Sequence, residues 1–289
     1  MSIRTVQYFR VVQAVRQLCI DSCYELGEDV LDALKQALEN ETNPTAKSVL
    51  EKLLQNAQIA SNERIPICQD TGLAVFFAEQ GADVRICPPE DKPEAALEDA
   101  INEGVRLGYT EGLLRKSVVS EPLFSRENTG DNTPAIIHHK ITSGDKLEIS
   151  VITKGGGCEN KSRFKMFNPT ASAEEVGQWI CRTAQEAGAN ACPPFVIGVG
   201  IGGDFELSAI LSKKALLRSL KDKNPNEKYA KLEDELLEKI NQTNVGPQGF
   251  GGLTTALGVK IEYAPCHIAS LPVSVNIECH AHRHKSVSL

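Results

Sequence analysis

Residues 64–72 read RIPICQDTG, a stretch that puts a thiol, an amide and a carboxylate side by side between a proline and a glycine. Asp70 and Gly72 disfavour helix and strand interiors, and Pro66 biases Ile65 towards an extended conformation. Cys68, Gln69 and Asp70 are therefore expected at the end of a short extended segment, in a turn. Cys192 lies in Asn-Ala-Cys-Pro-Pro, where two prolines forbid helix and remove backbone donors. Cys279 closes PVSVNIE just before His280. All three thiols fall at element ends or in loops, where ligands and catalytic groups gather on a rigid frame. A single such cysteine reads as structural. Three of them, each beside polar or conformationally locked neighbours, point to a site that uses thiolates.

Two other motifs fit their obvious chemistry poorly. GVGIGG at 198–203 resembles a dinucleotide-binding loop, but about 20 residues on, where a ribose-binding acid is required, the sequence is LLRSLKDK at the end of a helix. No GxxxxGK[ST] is present, so a P-loop is excluded. CHAHRH at 279–284 looks like a zinc tract, yet a tetrahedral site wants tight local ligand pairs from two segments. A second pair would have to come from isolated cysteines far away, and local spacing points the three histidines in different directions. The tail is expected to be a solvated basic end with one useful residue.

The elements that must carry these groups are legible from periodicity. Val11, Val12, Val15, Leu18 and Cys19 form a helical stripe, which sets Cys19 and Cys23 one turn apart as packed core thiols. Val30, Leu31, Leu34 and Leu38 make a second stripe, ending near Asn43-Pro44, and Val49, Leu50, Leu53, Leu54 and Ala57 a third. LAVFF after the turn reads as a buried strand, with further strands at 134–141 and 146–152 before KGGG at 154–157. A helix is expected over about 172–188 with Ser172 as N-cap, then a strand in FVIGVGI. Helices near 206–220 and 226–242, a glycine-rich loop VGPQGFGGLTTALG, and strands at 258–263 and 271–277 complete the chain. The expectation is one mixed α/β domain over 1–289. Its helical N-terminal part, 1–60, precedes a mixed sheet flanked by helices, 61–289.

Composition narrows the function classes. Of 289 residues, 41% are apolar and 24% charged, with a formal net charge of −7. That balance lacks the basic footprint of a nucleic-acid binder, and no apolar run approaches the roughly 20 residues of a membrane span. The N-terminus is too polar for a signal-peptide core. Nine cysteines, an odd number, without a secretory signal imply reduced thiols in a cytoplasm.

PICQDTG, KGGGCENKS, NACPPFVIGVGIGG, VGPQGFGG and HIASLPVSVNIECHAHRH follow one another over about residues 60–285. In that order they resemble the α subunit of two-subunit class I fumarases, a family that includes the α subunit of L-tartrate dehydratase. The resemblance implies an iron–sulfur hydro-lyase in which three cysteines hold a [4Fe–4S] cluster and one iron stays open for substrate. By motif these are Cys68, Cys192 and Cys279. The number agrees with the chemistry, since electron-transfer clusters take four thiolates and a Lewis acid needs a vacant position. Cys87, Cys158, Cys181 and Cys266 are expected to be non-ligands.

The same resemblance makes Gln69 and Asp70 substrate-binding, with Asp70 in proton transfer. It matches Arg115 to a carboxylate-gripping arginine, with Arg126 as an alternative, and His267 to a histidine of the site whose other reading is a buried, hydrogen-bonded ring. Gly156 in KGGG lets the backbone approach a ligand closely. The implied reaction is reversible hydration of fumarate to L-malate, a small dicarboxylate, with tartrate dehydration as the alternative. A non-catalytic iron–sulfur or regulatory protein is more distant. Single-chain relatives continue into a second domain, so a separate β subunit is expected as partner, in a two-fold assembly of αβ pairs.

Overall fold

The computed structural model describes residues 3–289. In chain order its elements are β1 (Arg4–Gln7), α1 (Tyr8–Tyr24), α2 (Glu28–Asn40), α3 (Pro44–Glu63), β2 (Leu73–Gly81), β3 (Val84–Cys87) and α4 (Leu97–Glu111). There follow β4 (Ile136–Thr142), β5 (Leu147–Lys154), the one-turn α5 (Gly156–Glu159), β6 (Arg163–Phe167), α6 (Ala173–Ala187) and β7 (Phe195–Gly202). The chain closes with α7 (Phe205–Ala215), α8 (Glu227–Asn241), β8 (Ala256–Ala264), β9 (Leu271–Glu278) and β10 (His284–Ser288). After the short β1, three helices lead into mixed sheets with flanking helices, so the fold class is the mixed α/β one expected.

The chain divides into two compact units. The first comprises the described residues up to Leu26, Ala57–Gly155 and Arg283–Leu289; the second comprises Gly27–Asn56 and Gly156–His282. In the first unit a four-stranded sheet runs β10-β5-β2-β4, antiparallel except for the parallel β2/β4 pair, and β1 pairs in parallel with β3. Helix α1 buries Val11, Val12, Val15 and Cys19 completely, and it packs on α4 and on β5. Cys19 and Cys23 are core thiols as the stripe predicts, both fully buried.

The second unit is built on the sheet β6-β9-β7-β8. Strand β9 is antiparallel to β6 and β7, while β7 and β8 are parallel. Strand β7 is buried on both faces, which is why its sequence is a continuous apolar run instead of an alternation. Helix α7 lies against β7, and α8 against β8. Ser172 caps α6 in a reciprocal capping box: its hydroxyl accepts from the Glu175 amide at 3.2 Å, and the Glu175 carboxylate accepts from the Ser172 amide at 2.7 Å.

Three features depart from the sequence reading. Helix α4 is not among the elements the sequence reading names, although Leu97, Ala100, Ile101, Val105 and Tyr109 form its buried face, with Gly104 and Gly108 between them. The helix expected to 220 stops at Ala215, where tighter bonds from the amides of Leu217 and Arg218 to the carbonyls of Lys214 and Ala215 take over. The CHAHRH tail is not a solvated basic end. His282 and Arg283 are 0% and 1% exposed, and β10 zips antiparallel onto β5. Sheet pairing buries what composition alone assigns to solvent.

Candidate functional site

In the first unit the RIPICQDTG segment leaves α3 and enters β2 through a turn that has no ladder to satisfy its carbonyls. Side chains do so instead. Arg283 Nη1 donates to the Asp70 carbonyl at 2.5 Å, and Tyr109 Oη to the carbonyls of Thr71 and Gly72 at 3.0 and 3.1 Å. Asn132 Nδ2 donates to Gly72 as well, at 3.2 Å. All three donors are buried, so the turn is set by groups that have no water to turn to. Burial pushes the Tyr109 phenol well above its usual range, which keeps it a donor at any physiological pH.

Gly72 has φ +76°, and a Cβ there would stand 2.6 Å from the Lys154 backbone; only glycine fits. Asp70 Oδ1 accepts from the Gly72 amide at 3.1 Å. A Cβ on Gly155 would lie 3.2 Å from Asp70 Oδ2 and 3.3 Å from Arg283 Nη2, so the start of the KGGG backbone runs past this carboxylate and guanidinium. Arg115 belongs to the same neighbourhood: its carbonyl accepts from Thr71 Oγ1 at 3.0 Å, and its side chain is exposed. Arg126 instead donates to the Pro122 carbonyl of its own loop at 2.6 Å. Cys68 is half-buried, with its thiol 3.5 Å from Gln69 Oε1.

The second unit holds the other expected thiols. Cys192 follows the short turn Gly188–Ala191, is exposed, and adopts left-handed φ 54°, ψ 64°. For a residue with a Cβ that conformation costs about 1–2 kcal/mol, and such outliers concentrate at functional sites. The Cys279 segment is knitted to it. The His280 amide donates to the Cys192 carbonyl at 3.1 Å, and His280 Nδ1 lies 3.0 Å from Gln248 Nε2. Gln248 in turn donates to the Pro193 carbonyl from both its amide nitrogens, each at 2.8 Å. The glycine-rich VGPQGFGG loop thus clamps the cysteine loops.

Beside Cys279 the structure adds two groups that sequence reasoning did not select. Cys158, in α5, and Glu278, the last residue of β9, offer ligand atoms that lie with Cys279 Sγ within 4.8 Å of one another. Glu278 and Cys158 are almost completely buried. A carboxylate ending an apolar strand was the available signal. Arg283 was also missed, hidden in a tract that reads as basic surface. Gly156 opens α5 in this unit. His267 is exposed in the turn after β8, not buried, and its Nδ1 accepts from the Ala269 amide at 3.1 Å. In the neutral ring this leaves the proton on Nε2.

The fold is mixed α/β, and Cys68, Asp70, Cys192 and His267 lie at the ends of its elements or in the loops between them. The chain matches the fumarate hydratase (Fumerase) family over residues 12–288. It is 38% identical over 278 residues to a putative L(+)-tartrate dehydratase subunit alpha of Methanocaldococcus jannaschii, with 95% of each chain covered. It is 35% identical over 262 residues to the L(+)-tartrate dehydratase subunit alpha of Escherichia coli K12, covering 89% of this chain and 84% of that one. The chain belongs to the fumarate hydratase (Fumerase) family, a family of iron–sulfur hydro-lyases. No helix among the described residues is long and apolar enough to cross a membrane.

Proposed function

We propose that this chain is the cluster-bearing α subunit of a cytoplasmic iron–sulfur hydro-lyase that hydrates fumarate reversibly to L-malate, acting as one catalytic domain over 1–289. The observation that carries this reading is the family match across residues 12–288, which embraces all the motif residues. Cys68, Cys192 and Cys279 would hold a [4Fe–4S] cluster. The donor set fits: none of the three is in a disulfide, all are exposed or half-buried, and the loops of Cys192 and Cys279 are bonded to each other. Bound there, the cluster supplies a Lewis-acid iron with an open position.

The chain's own residues do the rest. Gln69, beside Cys68, and the side-chain-free Gly156 position the substrate. Arg115 takes one carboxylate in a two-pronged ion pair, which a guanidinium fork matches better than an ammonium. Asp70 and His267 handle the proton added to or removed from the carbon next to a carboxylate, and Asp70 is held for this by the buried donors on its turn. A separate β subunit supplies cations for the second carboxylate. Relatives named as alpha subunits support a β partner. So do the apolar side chains beside site residues: Ile268, next to His267, is 92% exposed, and Ile65, near Cys68, is 44% exposed.

L-tartrate dehydration is the second reading, favoured by the names of these same relatives. The deciding experiment co-expresses the chain with its β subunit and assays both substrates after anaerobic reconstitution. Faster turnover of fumarate supports the first reading, and faster turnover of L-tartrate replaces it with the second. Replacing Cys68, Cys192 or Cys279 by Ser should abolish the broad visible absorption of the cluster, whereas Cys87→Ser should not. Loss with Cys87→Ser and retention with Cys192→Ser would refute the ligand set.

A further inference from the structure

The group Cys158, Glu278 and Cys279 does not follow from the cluster assignment, which uses only its last member. We propose that these three side chains form a mononuclear site for a borderline divalent cation, Zn²⁺ or Fe²⁺, in the cluster-free chain. Glu278 Oε1 lies 3.5 Å from Cys158 Sγ and 3.6 Å from Cys279 Sγ. With metal–sulfur bonds of about 2.3 Å and metal–oxygen bonds of about 2.0 Å, a tetrahedral ion spaces sulfur and oxygen ligands about 3.5 Å apart. Both sulfur–oxygen edges are therefore already at coordination length. The two sulfurs lie within 4.8 Å of each other and need to close by at most about 1 Å to reach a tetrahedral edge of about 3.8 Å.

The surroundings suit an ion. Glu278 is 0% exposed and Cys158 3%, so two ligands sit where water competes little, while half-buried Cys279 leaves one side open to solvent, from which a water would complete the coordination. The Cys279 amide also donates to Glu278 Oε1, at 3.2 Å, which fixes the carboxylate relative to the thiol. Two soft thiolates with one hard carboxylate select a borderline metal over Mg²⁺ or Ca²⁺. On binding, each thiol loses its proton to solvent; two thiolates and a carboxylate then surround a dication, for a net charge of −1. Because Cys279 also belongs to the proposed cluster ligands, ion and cluster exclude one another.

The test uses the full-length chain, reduced and stripped of metal under anaerobic conditions, titrated with Co²⁺ and then Zn²⁺. Co²⁺ should give thiolate charge-transfer absorption with tetrahedral visible bands, and one equivalent of Zn²⁺ should displace it. Cys158→Ala should weaken Zn²⁺ binding by more than about 100-fold, beyond the scale of losing an outer-shell partner. Cys192→Ala should change it by less than about threefold, well inside that scale. Circular dichroism of the metal-free variants verifies folding, and Cys158→Ser provides a second, closer isostere. Unchanged binding by folded Cys158→Ala or Cys158→Ser would overturn the site, as would loss in Cys192→Ala with retention in Cys158→Ala. The titration needs no cluster, substrate or β subunit, so its failure leaves the hydro-lyase reading standing, and the reverse holds too.

Discussion

Asp70, the proton-transfer residue proposed above, sits on a turn that is held through its main chain. The carbonyls of Asp70, Thr71 and Gly72 are bonded by Arg283, Tyr109 and Asn132, so the direction of the Asp70 side chain is set by three buried donors from distant parts of the sequence. In the assembled enzyme, Asp70→Asn should lower kcat by about 10² or more, the usual scale of acid–base help, with the cluster spectrum intact. Near-normal turnover would leave Asp70 only a positioning role. Arg115→Lys should chiefly raise KM, because a point charge replaces a fork; an effect confined to kcat would argue against ground-state carboxylate binding. Arg283→Met should cost about 2–3 kcal/mol in urea unfolding, since it removes a buried, charged donor from the carbonyl of half-buried Asp70. A loss below about 0.5 kcal/mol, the range of neutral surface changes, would show that the Asp70 turn is held without it.

Elements matter here through close approach. GVGIGG in β7 is a packing surface for α7. A Cβ on Gly198 would stand 2.0 Å from the Ser212 carbonyl oxygen, and one on Gly200 1.9 Å from that of Ser208. The glycines let a helix lie directly on a strand, with Ser208 Oγ reaching Ser274 Oγ of β9 at 3.0 Å. Gly200→Ala should therefore destabilise the second unit by about 1–3 kcal/mol or more, the range of core overpacking, because the obstructing atom is rigid backbone. An unchanged urea midpoint would mean that α7 shifts away freely.

At the scale of the whole molecule, stability should fall on the alkaline side. Burial raises the Cys19 thiol well above its usual 9.0, raises Cys23 against the opposing pull of Arg283, and lifts Tyr109. A group whose folded pKa exceeds its unfolded one contributes in full below the unfolded value. As pH climbs past about 9 the unfolded chain loses these protons first, and stability declines by up to about 1.4 kcal/mol per pH unit per group. Urea midpoints between pH 8 and 10.5 should drop steeply, and the Cys19→Ala, Cys23→Ala double variant should show a shallower slope. Equal slopes would assign the alkaline loss to other groups. Activity belongs to this scale too: the chain alone should show negligible hydratase turnover even with a full cluster, and adding the β subunit should restore it.

The sequence by itself determined much of the secondary structure. Apolar stripes placed α1, buried runs placed β2 and β7, and Ser172 with Glu175 marked the start of α6, because these depend on local periodicity and capping. The fumarate hydratase family was legible as well, since its motifs are contiguous stretches of chain. What the tertiary structure alone decided are relations between segments far apart in sequence. Arg283 reads as part of a basic tail until β10 pairs with β5 and buries it against the Asp70 carbonyl. Glu278 reads as the polar end of a strand until α5 brings Cys158 to within 3.5 Å of its carboxylate. GVGIGG already fails as a nucleotide loop in its sequence context, but its role as a bed for α7 shows only in the packed chain. In each case the free energy of the group depends on what excludes water from it, and that is a property of the packed chain, not of its neighbours in sequence.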